Sequence, residues 1–166
     1  MTATAISQTP RYSNGQERQY LMNGTGQALV VGDVVALDTS AQGKVTDVLA
    51  GTVDSTGTDW YKTRIATAAE DRISGITLVA LEPIAAGASG MFAERGEVLM
   101  KLAASAHVLG SRVMVTTGAG VTSCTLAVAA AGNVKAVAIV KAATAGAAGV
   151  WRVDLEGRHG FGYLGA

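Results

Sequence analysis

The sequence predicts an all-β protein built from two related halves that share one barrel or sandwich. Three observations favour this fold class. The chain repeats its own pattern of strands and glycines, its 21 glycines suit short strands joined by turns, and no window of about a dozen residues has helical periodicity. A half of about 60 residues buries little core alone, so we expect the halves, residues 28–102 and 106–156, to share one.

The repeat is the first element that needs justification. Residues 73–98 read as a strand, a crossover of small residues and a returning strand, and residues 134–153 follow the same plan. The corresponding positions are Gly87 with Gly146, Gly90 with Gly149, and Phe92 with Trp151. Upstream of each copy lies a matching opening, residues 30–46 and 108–122, in which Gly32 corresponds to Gly110. We interpret this pattern as an internal duplication.

The two ends of the chain differ from the repeated body. Residues 1–27 are polar and have neither helical nor strand periodicity, so we expect an N-terminal arm that orders against a partner. Residues 157–166 form a glycine-rich tail. Aromatic and arginine side chains are favoured in interfaces, which makes the candidate partner contacts of the two ends Arg11, Tyr12, Arg18, Tyr20, Phe161 and Tyr163.

Residues 48–72 have no counterpart in the second copy, and we interpret them as an insertion that supplies further contacts through Trp60 and Tyr61. Residues 127–132 fit either a short helix or a loose connection. The last strand of the body is the clearest, because Trp151, Val153 and Leu155 alternate with polar residues and so predict one buried and one exposed face.

Composition argues against several classes of partner. Thirteen basic and 13 acidic residues give zero formal net charge, and no run of Lys or Arg offers a phosphate-binding surface, so we expect no nucleic-acid partner. Lys135 and Lys141 interrupt the most apolar stretch, which argues against a membrane span. Residues 1–8 lack the features of a signal peptide, so we expect synthesis in the cytoplasm.

Reactive groups are few. Cys124 is the one cysteine, and we expect a small buried side chain in a strand. A Ser–His–Asp site drawn from Ser105 or Ser111 with His107 lacks the Gly-x-Ser-x-Gly turn, and His159 lies in the tail. The aspartates of the insertion lack the calcium-loop spacing. We therefore expect no catalytic residue, no metal site and no cofactor.

Several motifs in series resemble tailed-phage capsid decoration (cement) proteins. They are the Gly-Asp-Val-Val-Ala-Leu opening at 32–37, the strand at 75–79, the small-residue turn at 84–90, and the later strand and turn at 137–149. Similar patterns occur in the bases of phage head fibres. The likeness covers roughly residues 28–156. The insertion at 48–72 and the aromatic tail depart from it.

The resemblance implies a β-tulip fold and a structural role on the virion. Such proteins sit on the outer surface of the expanded head, bridge neighbouring major capsid proteins and stabilise the shell against the pressure of packaged DNA. They often form trimers, so the resemblance implies a homo-oligomer. An N-terminal arm that adds a strand to a capsid sheet edge would fit this role.

Two other functions remain open from the sequence. One is a different virion β-protein, such as a tail-tube or fibre-base subunit. The other is a carbohydrate- or small-molecule-binding β-module, in which Trp60, Tyr61 and Trp151 would form a stacking platform for sugars.

Overall fold

A computed structural model describes residues 15–40, 45–47, 52–53, 62–66, 75–116, 124–126, 134–144, 146–161 and 163–164. Every regular element in these ranges is a strand and none is a helix, which confirms the all-β prediction for this part of the chain. The strands are β1 Glu17–Met22, β2 Val34–Leu37, β3 Val45–Asp47, β4 Thr52–Val53, β5 Thr63–Ile65, β6 Thr77–Ala80, β7 Ser89–Leu102, β8 Arg112–Val115, β9 Cys124–Leu126, β10 Val134–Lys135, β11 Ala138–Val140, β12 Gly149–Glu156 and β13 Tyr163–Leu164.

Five of these strands close into a barrel. Its order is β7, β9, β8, β11 and β12, and the circle closes because β12 pairs antiparallel with β7 from Gly149–Leu102 to Glu156–Arg95. The pair β7–β9 is parallel and the others are antiparallel. The cluster in the barrel core is built largely of Val, Leu and Ala side chains, and it also takes in residues of β2 and β6 such as Val34 and Val79.

The other strands of the same sheet are joined to the N-terminal part of β7. Strand β6 pairs with β7, β2 with β6, and β5 with β2, while β1 pairs with β7. A parallel bridge between Met22 and Lys62 connects the end of β1 to the start of β5. A second apolar cluster lies among these strands, and its members are Leu21, Leu29, Val35, Leu37, Leu78, Ala80, Ile84 and Phe92.

Strand β7 contributes to both clusters, and a glycine interrupts its alternation. Phe92 and Val98 are an even number of residues apart, a spacing that keeps two side chains on one face of a regular strand. They nevertheless lie in different clusters, Phe92 in the second cluster and Val98 in the barrel. Gly96, between them, has a φ of 95°, which favours glycine, and a Cβ there would lie 2.7 Å from the Cα of Gln16.

The turn before β2 has a specific set of hydrogen bonds. Gly32 has a φ of 91° and donates its N–H to the carbonyl of Ala80 (2.9 Å). The Asp33 N–H is donated to the Val30 carbonyl (3.1 Å), and the Asp33 carboxylate accepts the Val30 N–H (2.8 Å). The Ala80 N–H is in turn donated to the Asp33 carbonyl (2.9 Å), so the turn is bound to β6.

The turn before β8 has the same set of bonds. Gly110, with a φ of 86°, donates its N–H to the carbonyl of Val140 (2.8 Å). The Ser111 N–H is donated to the Val108 carbonyl (3.0 Å), and the Ser111 hydroxyl accepts the Val108 N–H (3.0 Å). The Val140 N–H is donated to the Ser111 carbonyl (2.9 Å).

Two details of the predicted repeat are wrong. Ala80 lies opposite Phe92 and Val140 opposite Val153, so in these pairings Val153 and not Trp151 takes the place of Phe92, and the second connection is one residue longer. Residues 48–72 also contain a counterpart, since β5 pairs with β2 as β9 pairs with β8. A strand of three residues carries too little periodicity to be recognised in sequence.

The predicted arm and tail are corrected in their described parts. Residues 17–22 form β1, whose Leu21 is 2% exposed in the second cluster, and residues 163–164 pair with β10. The sequence did not reveal this strand, because the start of β1 is polar and only its last two residues are buried. Residues 1–14 lie outside the described residues, as do 127–132 of the ambiguous connection.

Replacement of Leu21 by alanine tests whether β1 belongs to the body. Loss of this buried side chain should lower the free energy of unfolding by about 2–5 kcal/mol, because a cavity forms in the second cluster. Tyr20→Ala is the matched control on the same strand, since Tyr20 is 44% exposed, and it should cost less than about 1 kcal/mol. Urea unfolding measures both. Equal, negligible effects would mean that β1 is a free arm.

Candidate interaction surface

The candidate contact residues fall into two groups. Arg11, Tyr12, Trp60 and Tyr61 lie outside the described residues. Arg18 and Tyr20 are on β1, Phe161 follows the turn after β12, and Tyr163 is in β13.

Tyr20 presents its side chain on the outer face of the sheet. It pairs with Met91 of β7, which is half-buried. Arg18 is exposed and its Nε donates to the Oε1 of Gln16 (2.6 Å). Arg18 and Tyr20 therefore lie at the surface of this part of β1, and their role as partner contacts stays a prediction.

A buried carboxylate fixes the start of the tail. The Glu94 side chain is 6% exposed and accepts hydrogen bonds from Arg158 through Nε (2.5 Å) and Nη2 (3.2 Å), and from the Gln19 amide. The hydrogen bond with Glu94 is the largest of the influences that raise the pKa of Arg158. Glu94 thus joins β1, β7 and the tail at one point.

A buried lysine fixes the same segment from the other side. Lys135 is 1% exposed, and its Nζ donates to the carbonyls of Gly157 (2.9 Å), Arg158 (3.3 Å) and Gly75. Gly157 is packed so closely that a Cβ would lie 1.8 Å from the Thr77 carbonyl oxygen. The tail is therefore built into the body through residues 157–161, where the sequence predicted a flexible end.

A polar cleft of about 480 Å³ lies where the two ends of the described chain meet. Its lining combines carboxylates with the guanidinium of Arg95, which pairs with Glu156 at 3.0 Å and with Glu17 at 3.5 Å. The lining residues are Gly15, Gln16, Glu17, Arg95, Gly96, Asp154, Leu155, Glu156 and Phe161. Phe161 and the start of β1 are thus neighbours, which the sequence did not predict.

The most exposed large apolar side chains were missed from the sequence. Val108 is 66% exposed and Leu109 is 69% exposed, both in the turn before β8. Leu99, Val30 and Val150 are about half exposed. An apolar pair beside a turn glycine is a usable signal, because such pairs usually pack against a neighbouring element. The sequence alone does not show the exposure, because the same pattern precedes β2, where the structure buries the glycine.

The residues considered for catalysis do not form a site. His107 is 1% exposed, and neither ring nitrogen has a hydrogen-bonding partner in the described part of the chain, so no pair forms with Ser105 or Ser111. The Ser111 hydroxyl instead caps Val108. Trp151, considered for sugar stacking, packs against the barrel core.

Within the described ranges, no three His, Cys, Asp or Glu side chains come together in a way that would hold a metal ion. Across those ranges there is also no helix with the length and apolar composition that crossing a bilayer requires.

Comparison with known proteins gives no assignment. No protein-family model matches the chain, and no curated protein matches its sequence.

Replacement of Glu94 by alanine should release the tail. Arg158 and Gln19 lose their acceptor, and we expect the free energy of unfolding to fall by about 1–3 kcal/mol. Glu97→Ala is the matched control. Glu97 also lies on β7 and pairs with an arginine, but the side chain of that arginine, Arg152, is 64% exposed. The free energy of unfolding should therefore fall by less than about 1 kcal/mol. Amide hydrogen exchange at Gly157 and Phe161 should accelerate in the first variant alone; unchanged exchange would contradict the assignment.

The Cys124 thiol predicts a pH dependence of stability. The side chain is buried, as the sequence predicted, and burial raises its pKa from 9.0 to about 12. Above pH 9 the unfolded chain ionises this thiol while the folded chain keeps it protonated. The contribution of Cys124 to the free energy of unfolding is therefore full below pH 9 and falls by about 1.4 kcal/mol per pH unit up to pH 12. Cys124→Ala should lack this component. Urea unfolding of both proteins at pH 8 and pH 10 measures it; parallel losses would contradict it.

Proposed function

We propose that this protein is a capsid decoration protein of a tailed phage. It binds the outer surface of the expanded head, bridges neighbouring major capsid proteins and stabilises the shell against the pressure of packaged DNA. The observation that supports the proposal best is the use of β7 by both groups of strands, which makes the body a single mechanical unit.

The pairing of β7 suits a protein that bears load. Its N-terminal part is hydrogen-bonded to β1 and β6, and its C-terminal part to β12 and β9. Force applied along β7 acts on many ladder hydrogen bonds at once, because the bonds lie across the strand direction. Separation of the two groups of strands therefore requires many of these hydrogen bonds to break together, and they do not break one pair at a time.

A β-tulip fold of two related halves is part of the proposal. The matching bonds of the turns before β2 and β8 support it, as do the equivalent places of β5 and β9. Under this proposal the first half also includes β1. Strand β1 pairs with the N-terminal part of β7, just as the C-terminal part of β7 pairs with β12.

The capsid contacts in this proposal come from the N-terminal segment. Residues 1–14 carry Arg11 and Tyr12, and they enter the body at β1 beside the exposed Arg18. The insertion with Trp60 and Tyr61 supplies a second contact. Attachment of a specific protein to the shell requires an interface on the order of 1,000 Å² or more, and repetition over the shell adds avidity.

Binding to phage heads tests the proposal. Expanded heads from a mutant of the encoding phage that lacks this chain are mixed with purified protein, sedimented and assayed for the bound chain. We expect saturable binding to expanded heads and a rise in the temperature at which heads release DNA. Absence of binding at micromolar protein would contradict the proposal, and stacked tubes in electron micrographs of the pure protein would favour a tail-tube subunit.

A truncation that begins at Gly15 tests the role of the N-terminal segment. It leaves β1 complete, whereas removal of residues 1–20 would cut the strand and disturb the fold. We expect head affinity to fall at least about tenfold, equivalent to about 1.4 kcal/mol, with an unchanged melting temperature. The full-length Tyr20→Ala variant controls for contacts on β1. Undiminished binding by the truncated chain would remove the role of residues 1–14.

A further inference from the structure

The polar cleft beside the start of β1 contains a half-buried carboxylate that the described part of the chain leaves unpaired. Asp154 of β12 lines the cleft and lies opposite Glu97 of β7. Glu97 pairs with Arg152, whereas the Asp154 carboxylate has no hydrogen bond or ion pair within the described ranges. Partial removal of a charge from water without a partner costs free energy. No contact in the described part of the chain therefore accounts for an acid at position 154.

The arginine of the cleft is engaged by the other two acids. Arg95 pairs through Nε with Glu156 (3.0 Å) and through Nη1 with Glu17 (3.5 Å). The lining includes three carboxylates and one guanidinium, which gives it a formal charge of −2. Electrostatic complementarity therefore favours a cationic ligand, and Asp154 is the lining acid that such a ligand finds unpaired.

The size of the cleft and the spacing of its acids favour an organic cation over a metal ion. A bound metal ion needs several oxygen ligands that converge on one point. Within the described ranges no three acidic side chains converge in this way. The cleft has a volume of about 480 Å³, which falls in the range of pockets that bind small organic groups. A long basic side chain fits these dimensions.

An aromatic ring in the lining favours a guanidinium over an ammonium group. Phe161 is half-buried and lines the same cleft, and its backbone N–H is donated to the Ala136 carbonyl (2.8 Å). A guanidinium is planar, so it stacks on an aromatic ring and can donate two parallel hydrogen bonds to one carboxylate. An ammonium group is more strongly hydrated and has no planar face. The combination of Asp154 and Phe161 therefore suits arginine better than lysine.

We propose that this cleft binds an arginine side chain of a partner protein. The guanidinium pairs with Asp154 and lies against Phe161, while Arg95 keeps its two carboxylate partners. Gly15 lines the cleft, so the site adjoins residues 1–14, which carry the proposed capsid contact. The identity of the partner as the major capsid protein rests on the proposed function, whereas the affinity of the cleft for a guanidinium does not.

Titration of the full-length protein with a blocked arginine tests the cleft directly. The probe is Nα-acetyl-arginine amide, and backbone amide NMR shifts report its binding. We expect saturable shifts at Gly96, Asp154 and Phe161, and none with the citrulline analogue, which has a similar shape without the charge. Asp154→Asn should weaken binding about tenfold, because the guanidinium loses its charged acceptor.

Glu97→Gln is the matched control for Asp154→Asn. Glu97 is an acid at the position opposite Asp154, but it is not among the residues that line the cleft. Its variant should bind the blocked arginine as the wild-type protein does. Equal binding of the arginine and citrulline probes, or undiminished binding by Asp154→Asn, would overturn the proposal.

Head binding and thermal stability separate this proposal from the proposed function. Asp154→Asn should bind expanded heads about tenfold more weakly than the wild-type protein, with a melting temperature that is unchanged or higher, because no internal contact is lost. Heads that bind Asp154→Asn as tightly as the wild-type protein would overturn the assignment of the cleft to the capsid contact. A wild-type protein that binds no heads would remove the proposed function, and the titration with blocked arginine would still decide whether the cleft binds a guanidinium.

Discussion

The structure depends on the pairing of one strand with two groups of neighbours. β7 has 14 residues, which is long for a strand, and it supplies side chains to both apolar clusters. The neighbours Phe92 and Ala93 belong to different clusters, and Gly96, whose left-handed conformation interrupts the alternation, brings Val98 into the cluster of Ala93. Because both clusters are anchored on the same strand, displacement of either group disturbs the other, and the body resists separation into parts.

Buried charges extend this constraint to the ends of the chain. Glu94 and Lys135 are both nearly inaccessible, and each is satisfied by hydrogen bonds that involve the segment after β12. Breaking such a network leaves uncompensated charge or unpaired polar groups in the interior, which is costly. The ends that seemed free in sequence are therefore held by the interior of the protein at β1 and at the segment after β12.

The two turns show that one local structure occurs in a covered and in an exposed setting. Both use a glycine with positive φ and a side-chain oxygen three residues after the capped amide, and both are bonded to the neighbouring strand. The first turn lies against Lys101 and Val150, whereas the second exposes Val108 and Leu109. The difference arises from what surrounds each turn, since their internal bonds are the same.

Local patterns in the sequence determined the all-β class, the matching glycines at 32 and 110, the buried Cys124 and the absence of helical periodicity. These properties depend on backbone propensity and short-range alternation, which a sequence displays directly. Only the tertiary structure decided that β1 belongs to the body, that Phe92 lies opposite Ala80 and Val153 opposite Val140, and that the turn before β8 is exposed. Strand register and surface exposure depend on contacts between distant residues, so no local pattern specifies them.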